Sequence, residues 1–370
     1  MTLHRTTRLA AALAAGSLAL VACGGSDGPD TSSPGAPDAS EGPALTGTLA
    51  GAGASSQTSA VEAWTAGFQT ANEGVTISYD PVGSGGGRDQ FTAGGVDFAG
   101  SDRAMKPEEL TEAAKRCAPG ARVVDLPLYI IPIAVAFNLE GVDSLKLTPV
   151  TIAKIFNQKI TNWNDAAIKA DNPDATLPDL KITPVNRSDD SGTTENFTDF
   201  LAETAKTDWP YEADGEWPVK GGEAANGTSG VVQAITAGNG AIGYADASQV
   251  AELGKVAVGV GSEFVEYTAA AAAAVVESSP RDDTREKGDI VIKIARDTTS
   301  AEEYPVVLVS YSLACTKYTD AAKGELVKAF LTYVASEDGQ AAAAENAGSA
   351  PISDALRTEV QASIDAIGAA

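Results

Sequence analysis

Hydrophobic residues along this chain form short β-branched runs separated by stretches in which apolar positions have helical spacing. Thr46–Ala52 and Val75–Val82 have the composition of strands, and Ser59–Thr70 between them has the spacing of a helix. The alternation continues to the C-terminus, where we predict helices over Ala321–Ala335 and Ser353–Ile367. Strands that alternate with helices in this way predict an α/β fold.

The middle of the chain follows the same alternation. Further helices are predicted over Thr148–Ile155, Asn164–Ala170, Thr194–Thr204, Val231–Ala237 and the alanine-rich Val265–Ser278, and further strands over Lys181–Val185 and Ala241–Tyr244.

Two long apolar runs, far apart in sequence, interrupt this regular pattern. Val123–Asn138 is either two strands or one extended strand, and Pro305–Cys315 is a second β-rich run. Segments of this kind predict two lobes joined by two crossings, with a ligand cleft between the lobes. We assign residues 45–130 and 308–370 to a discontinuous lobe I, and residues 131–307 to lobe II.

The N-terminus has the pattern of a processing signal. Arg5 and Arg8 precede an apolar stretch, Leu9–Ala22, that is too short to span a membrane. The stretch ends in Leu-Val-Ala-Cys, the pattern of a bacterial lipobox, so residues 1–22 are predicted to be removed and Cys23 to carry a lipid. An ordinary secretory signal that happens to contain a cysteine is the alternative.

The next segment is polar and rich in glycine, proline and serine. Residues 24–44 contain no large apolar side chain and cannot form a core. We therefore predict that residues 23–44 form a flexible tether, which places the folded part on the outer face of the cytoplasmic membrane.

Charge and composition exclude several classes of function. The formal charge is −24, and loss of the two signal arginines makes the mature chain still more negative, which argues against nucleic acid as a partner. The only histidine, His4, lies in the signal. The mature chain therefore lacks Ser-His-Asp and Cys-His catalysis and most zinc sites, and we expect no enzyme activity, metal or cofactor.

Two cysteines remain besides Cys23. Cys117 and Cys315 form an even pair in a compartment that we expect to be oxidising. A disulfide between them is the leading interpretation, and two separate buried thiols are the alternative.

Four short segments combine glycine with small polar residues between predicted strands and helices. They are Gly51–Ser56, Gly83–Gly87, Phe98–Asp102 and Arg187–Thr194. Helix N-termini present free N–H groups and partial positive charge, and glycine lets the backbone approach a ligand closely. One such segment alone is an ordinary capped turn, but four together predict a site for a tetrahedral oxyanion.

Arg187 is the natural charged donor for that anion, because its planar guanidinium can contact two oxygens of phosphate at once. Asp189, two residues later, is placed to brace the guanidinium, although a solvated ion pair is also possible. None of the segments has the Gly-Lys-Ser/Thr ending of a phosphate-binding loop or the spacing of a dinucleotide fingerprint.

These motifs, in this order, resemble the phosphate-binding proteins of phosphate ABC transporters. The resemblance runs from about Thr46 to the C-terminus and is most specific in ITNW and SGTT, with GAGAS, VGSGGG and VDFAGSD before them. It implies the type II periplasmic-binding-protein fold, two α/β lobes joined by two hinge strands, and a monomer. It also implies inorganic phosphate as ligand and the membrane permease and ATPase subunits of an importer as partners.

The resemblance also implies a set of site residues. Asp102 is the acceptor of a ligand proton, and Asp189 orients the arginine. Ser56 stands where the family often has an aromatic residue, which keeps the backbone N–H but changes the wall of the site. The full phosphate-binding set is Ser55, Ser56, Ser84, Asp102, Arg187, Ser191, Gly192 and Thr193.

Asp102 provides a physical reason for selectivity. An ionised carboxylate accepts a hydrogen bond from protonated phosphate but repels sulfate, which has no proton near neutral pH. Three alternatives remain open: a phosphate-ester hydrolase with Ser84 or Ser191 as nucleophile, a receptor for another oxyanion, and a surface sensor or adhesin.

Overall fold

A computed structural model describes residues 44–369 of the chain. The predicted signal, the predicted lipidation site Cys23 and nearly all of the predicted tether lie outside the described residues. Within residues 44–369, no helix has the length and apolar character needed to cross a membrane.

Strands and helices alternate along the chain as predicted. The strands are β1 (Gly47–Gly53), β2 (Val75–Asp80), β3 (Phe98–Ser101), β4 (Val123–Phe137), β5 (Ser144–Leu147), β6 (Thr183–Arg187), β7 (Glu223–Ala225), β8 (Ala241–Asp246), β9 (Gly254–Val260), β10 (Glu263–Val265), β11 (Val307–Cys315), β12 (Lys317–Tyr318) and β13 (Gly368–Ala369). The helices are α1 (Thr58–Ala71), α2 (Ser84–Thr92), α3 (Pro107–Ala113), α4 (Pro149–Phe156), α5 (Ala166–Asp171), α6 (Gly192–Thr204), α7 (Gly227–Ala237), α8 (Ala269–Ser278), α9 (Ala321–Ala335), α10 (Glu337–Ala347) and α11 (Asp354–Asp365).

Two groups of strands share one long strand. In the first group the order is β2-β1-β3-β11-β4, with β1, β2 and β3 parallel and β11 antiparallel to both of its neighbours. In the second group β4 pairs with β8, β8 with β6 and β6 with β7, while β9 joins β4 to β5 and β10. This arrangement confirms the two-lobed α/β fold.

The long apolar run at residues 123–138 is one strand. Its first part, residues 123–132, pairs with β11, and its second part, residues 133–137, pairs with β8. All of its residues are buried, which explains the continuous apolar sequence. The interpretation as a single strand crossing between lobes is therefore confirmed, whereas the exact lobe limits at residues 130 and 308 stay a prediction.

Each strand group has its own aromatic core. On the first group, Phe68 of α1 packs edge-on against Phe330 of α9, with ring centroids 5.5 Å apart. On the second, Phe197 of α6 stacks on Tyr244 of β8 at 4.4 Å. Since α1 and α9 come from opposite ends of the described chain, the first core is built from both ends, as predicted.

The predicted disulfide is present. Cys117, just before β4, is bonded to Cys315 at the end of β11, with the two Cα atoms 5.6 Å apart and 198 residues between them in sequence. The bond therefore joins early and late parts of the chain within the first strand group.

Two local predictions were wrong. The alanine-rich helix begins at Ala269, because residues 263–265 form an edge strand against β9. Residues 98–101 of the third glycine segment form a strand, and only Asp102 follows it. Strands β5, β7, β9, β12 and β13 and helices α3 and α10 were not predicted.

Candidate functional site

The first part of the site lies where the three parallel strands β1, β2 and β3 end. Ser55 and Ser56 follow β1, Ser84 is the first residue of α2 after β2, and Asp102 follows β3. Because parallel strands present their carboxyl ends at one edge of a sheet, these residues meet there. Gly83, between β2 and α2, has a positive φ of 90°, a conformation that favours glycine.

Asp102 lies at the centre of this group and is only 2% exposed. Its carboxylate accepts hydrogen bonds from Ser56 Oγ at 2.7 and 2.8 Å, from Ser310 Oγ at 2.6 Å and from Thr193 Oγ1 at 2.9 Å. Its backbone N–H donates to Ser84 Oγ at 3.1 Å. A buried carboxylate surrounded by neutral hydroxyl donors is suited to accept one more proton-bearing group.

The positive side of the site comes from the second strand group. Arg187 ends β6, is 3% exposed, and donates through Nε to Asp189 Oδ1 at 2.8 Å and through Nη2 to Asp189 Oδ2. Gly227 N donates to the same carboxylate at 3.1 Å. Burial opposes ionisation of Asp189, but the hydrogen bonds and charge of Arg187 outweigh it and lower the pKa of that carboxyl.

Helix α6 points its N-terminus at Asp102. Ser191 caps the helix, accepting a hydrogen bond from Thr194 N at 3.3 Å. The N–H groups of Gly192 and Thr193 belong to the first turn, where a helix has no internal acceptor for them. They therefore add donors and partial positive charge beside Arg187.

Residues of the two strand groups touch directly around the site. Asn196 Nδ2 of α6 donates to Asp102 O at 2.6 Å, and Ser55 Oγ lies 3.0 Å from Thr228 Oγ1 of α7. An ion pair joins Arg103 Nε and Glu195 Oε2 at 2.7 Å. A Cβ on Gly192 would lie 2.7 Å from both Asp102 Cβ and Ser84 Oγ. The two strand groups therefore meet across the site, so the cleft between them is closed.

This arrangement of two strand groups and one closed cleft has a match among known families. A family model described as a PBP superfamily domain matches residues 38–338. The chain belongs to the PBP superfamily.

Two relatives within the superfamily indicate more closely which proteins this chain resembles. The chain is 34% identical over 389 residues to phosphate-binding protein PstS 3 of Mycobacterium tuberculosis, covering 99% of this chain and 100% of the relative. It is 33% identical to PstS 2 of the same species over 372 residues, covering 96% of each. The resemblance to the phosphate-binding protein family is therefore confirmed, and these relatives are named as binding proteins.

A solved structure supports the fold of this superfamily member. The periplasmic phosphate-binding protein PfluDING, bound with phosphate, matches with a TM-score of 0.70 and 24% identity, covering 85% of this chain and 93% of that chain. At this identity the match bears on the fold alone.

The predicted site residues lie together in the superfamily fold. Ser56, Ser84, Asp102 and Thr193 are linked by hydrogen bonds, and Asp189 holds Arg187 as expected. Of the remaining members, Gly192 lies against Asp102 and Ser84, Ser55 contacts Thr228 of the second strand group, and Ser191 caps α6. The Ser56 side chain contacts Asp102 directly, in addition to the backbone donor that the sequence suggested. The role of the set in ligand binding stays a prediction.

Four residues of the site were not found from the sequence. Ser310 and Gln57 lie next to Asp102 and Ser56, and Thr228 and Asn196 form contacts across the cleft. Ser310 is one of two serines in a buried, mainly apolar strand, which is a weak signal. Thr228 stands at the start of α7 in a Gly-Thr-Ser-Gly segment that resembles the other capped turns.

No group of three or more histidine, cysteine or acidic side chains placed to hold a metal ion occurs in the part of the chain that the structure describes.

Proposed function

We propose that this protein binds inorganic phosphate in the closed cleft and delivers it to an ABC-type phosphate importer. The ligand would be captured by donors from both strand groups, the cleft would close around it, and the permease and ATPase subunits would receive it. The named relatives, phosphate-binding proteins that match almost the whole chain, support this proposal.

One structural observation is the main support for this proposal. A buried carboxylate, Asp102, contacts Thr193 in the first turn of α6, and the Arg187 guanidinium lies beside Gly83, next to Ser84. Positive donors alone suit any oxyanion, but a carboxylate among them suits only an oxyanion that still has a proton. Phosphate meets this requirement near neutral pH and sulfate does not.

In this proposal Arg187 contacts the ligand through the part of its guanidinium that does not bind Asp189. Ser191, Gly192 and Thr193 donate from the second group, and Ser55, Ser56 and Ser84 from the first. Binding depends on these local donors. The surrounding negative surface acts at longer range and is screened by salt.

The remaining features of the proposal follow from the sequence. The protein acts as a monomeric receptor without catalysis, and lipid on Cys23 anchors it to the outer face of the cytoplasmic membrane. The tether then lets the folded part move between free phosphate and the permease.

Calorimetric titration of the purified protein tests the proposal. The protein is unfolded and refolded to remove carried ligand, then titrated with phosphate and separately with sulfate. One-to-one phosphate binding with no heat from sulfate is expected. A folded sample that binds sulfate but not phosphate would contradict the proposal and favour a receptor for another oxyanion.

A further inference from the structure

Ser310 occupies an unusual place beside the site. It lies in β11 and is 1% exposed, between apolar neighbours on a strand that is buried along its whole length. Next to it the pairing of β11 with β4 shifts, so that Ser310 lies opposite Tyr129 but Tyr311 lies opposite Pro127. The extra residue at this irregularity, Leu128, belongs to β4. Ser310 Oγ donates to Asp102 Oδ1 at 2.6 Å.

The hydrogen of the Ser310 hydroxyl has a defined direction. Gln57, which is buried, donates from its amide Nε2 to Ser310 Oγ. A hydroxyl has only one hydrogen, and with its oxygen accepting from Gln57 that hydrogen is directed at Asp102. The chain of bonds therefore runs from Gln57 through Ser310 to one oxygen of the carboxylate.

The other hydroxyl donors to Asp102, Ser56 and Thr193, are not held on Oδ1 as Ser310 is. Ser56 Oγ lies within 2.8 Å of both carboxylate oxygens, and its single hydrogen can serve either. Thr193 contacts Oδ2 from the opposite side of the cleft, so that contact depends on closure. Ser310 thus differs in that it contacts Oδ1 alone and belongs to the same strand group as Asp102.

We propose that Ser310, held by Gln57, is a positioning residue for phosphate binding at Asp102. It occupies Oδ1 of Asp102 before closure, so that Oδ2, which Thr193 also contacts, keeps an acceptor position for the ligand proton. Without it, Oδ1 keeps only Ser56, whose single hydrogen is shared with Oδ2, and the carboxylate is free to turn. This inference rests on the proposed function, because it assigns a task to the same phosphate site.

The test is a double-mutant cycle read by phosphate titration. Ser310→Ala is expected to weaken phosphate binding about tenfold, the usual effect of removing one hydrogen bond to a buried charged group. In an Asp102→Asn background the same change is expected to cause almost no further loss, because the group it positions is gone. Ser312→Ala, a buried serine on the same strand, is the control and should bind phosphate normally.

The outcomes are distinct. Loss of phosphate affinity by Ser310→Ala in both backgrounds, or no loss in either, overturns the inference while the proposed function stands. Should Ser310→Ala fail to fold, as judged by circular dichroism, Gln57→Leu decides the question in the same cycle. Absence of phosphate binding by the unaltered protein would instead overturn the proposed function, and this inference with it.

Discussion

Asp102 places a negative charge in a site that is otherwise arranged to attract anions. Its contacts to Ser56, Ser310 and Thr193 hold the carboxylate in place. That negative charge lowers the affinity for every anion. Only a ligand that donates a hydrogen bond to the carboxylate regains this lost binding free energy. We therefore expect selectivity at this scale to come from a group that is unfavourable on its own.

Replacing Asp102 with asparagine should remove the discrimination against sulfate. The amide keeps the size of the side chain but can donate a hydrogen bond, so sulfate is no longer repelled. We expect the ratio of sulfate to phosphate dissociation constants to fall by at least about tenfold, measured by competition titration at constant pH. Asp89→Asn, which removes an exposed charge on α2, is the control. An unchanged ratio in Asp102→Asn would show that selectivity arises elsewhere.

At the residue scale, the site residues named from the sequence lie in glycine-rich turns. The donor chemistry of its segment indicated Arg187, the family resemblance implied Asp102, and their roles in ligand binding stay predictions. Ser310 could not be predicted, because its partner Asp102 lies 208 residues earlier in the chain. Only the pairing of β11 beside β3 brings them together, and an apolar strand gives no sign of which side chain will be turned toward a site.

At the scale of elements, the start of α6 lies directly against the loop after β3. The close contact of Gly192 with Asp102 and Ser84 exists only while the cleft is closed, and no larger residue fits there without displacing one side.

Gly192→Ala should therefore weaken binding while leaving the unliganded fold intact. Alanine is favourable in a helix, so the open protein keeps its stability. The added methyl group opposes closure, and overpacking of this kind costs about 1–3 kcal/mol, equivalent to a phosphate affinity about five- to 150-fold lower. Phosphate titration measures the loss of affinity, and thermal unfolding measures the stability of the unliganded protein. Gly230→Ala in α7, where a Cβ would meet Ala225 at an ordinary 3.5 Å, should bind as the unaltered protein does.

The disulfide should contribute stability rather than binding. Cys117 and Cys315 close a loop of 198 residues at the end of the β4–β11 ladder. A loop of that size lowers the entropy of the unfolded chain, by up to about 5 kcal/mol in free energy. We expect Cys117→Ala/Cys315→Ala to lower the free energy of unfolding in urea, with phosphate affinity nearly unchanged. A reducing agent should lower the free energy of unfolding of the unaltered protein by the same amount. It should not change the free energy of unfolding of the double variant.

Element positions were largely predictable, whereas their pairing was not. Helix α9 has the predicted bounds, and β1 and α1 differ from prediction by a residue or two at each end, because their apolar spacing is regular. The edge strands β5 and β10 are short and half exposed. Their formation depends on β9, which lies far along the chain from β5, and local pattern does not contain that information.

At the scale of the whole molecule, Asp246 lies where β8 meets the crossing strand β4. It is fully buried and bonded to Ser248, and Tyr129 Oη donates to it at 3.1 Å. Burial, the largest cause, raises the pKa of Asp246 from 3.8 to about 7, and the negative charge of Asp102 acts in the same direction.

This shift predicts a dependence of stability on pH. The folded protein holds the Asp246 proton more tightly than the unfolded chain does. The contribution to stability is therefore complete below about pH 4 and is lost as the pH rises through about 7. Asp246→Asn should remove this loss, which is on the order of 4 kcal/mol, in urea unfolding measured from pH 4 to pH 8. Asp89→Asn is the control, and a constant difference between Asp246→Asn and the unaltered protein at every pH would contradict the assignment.

The disulfide and the placement of β11 have a consequence for the order of events during synthesis. The first strand group is completed by β11, which enters between β3 and β4, and ribosomes make that segment near the end. The second group, made from the middle of the chain, has all of its strands available earlier. Cys117 remains a free thiol until Cys315, 198 positions later in the chain, has been made. A newly made chain therefore passes through a stage with one lobe able to form, the other incomplete, and a thiol that must be kept from reacting too soon.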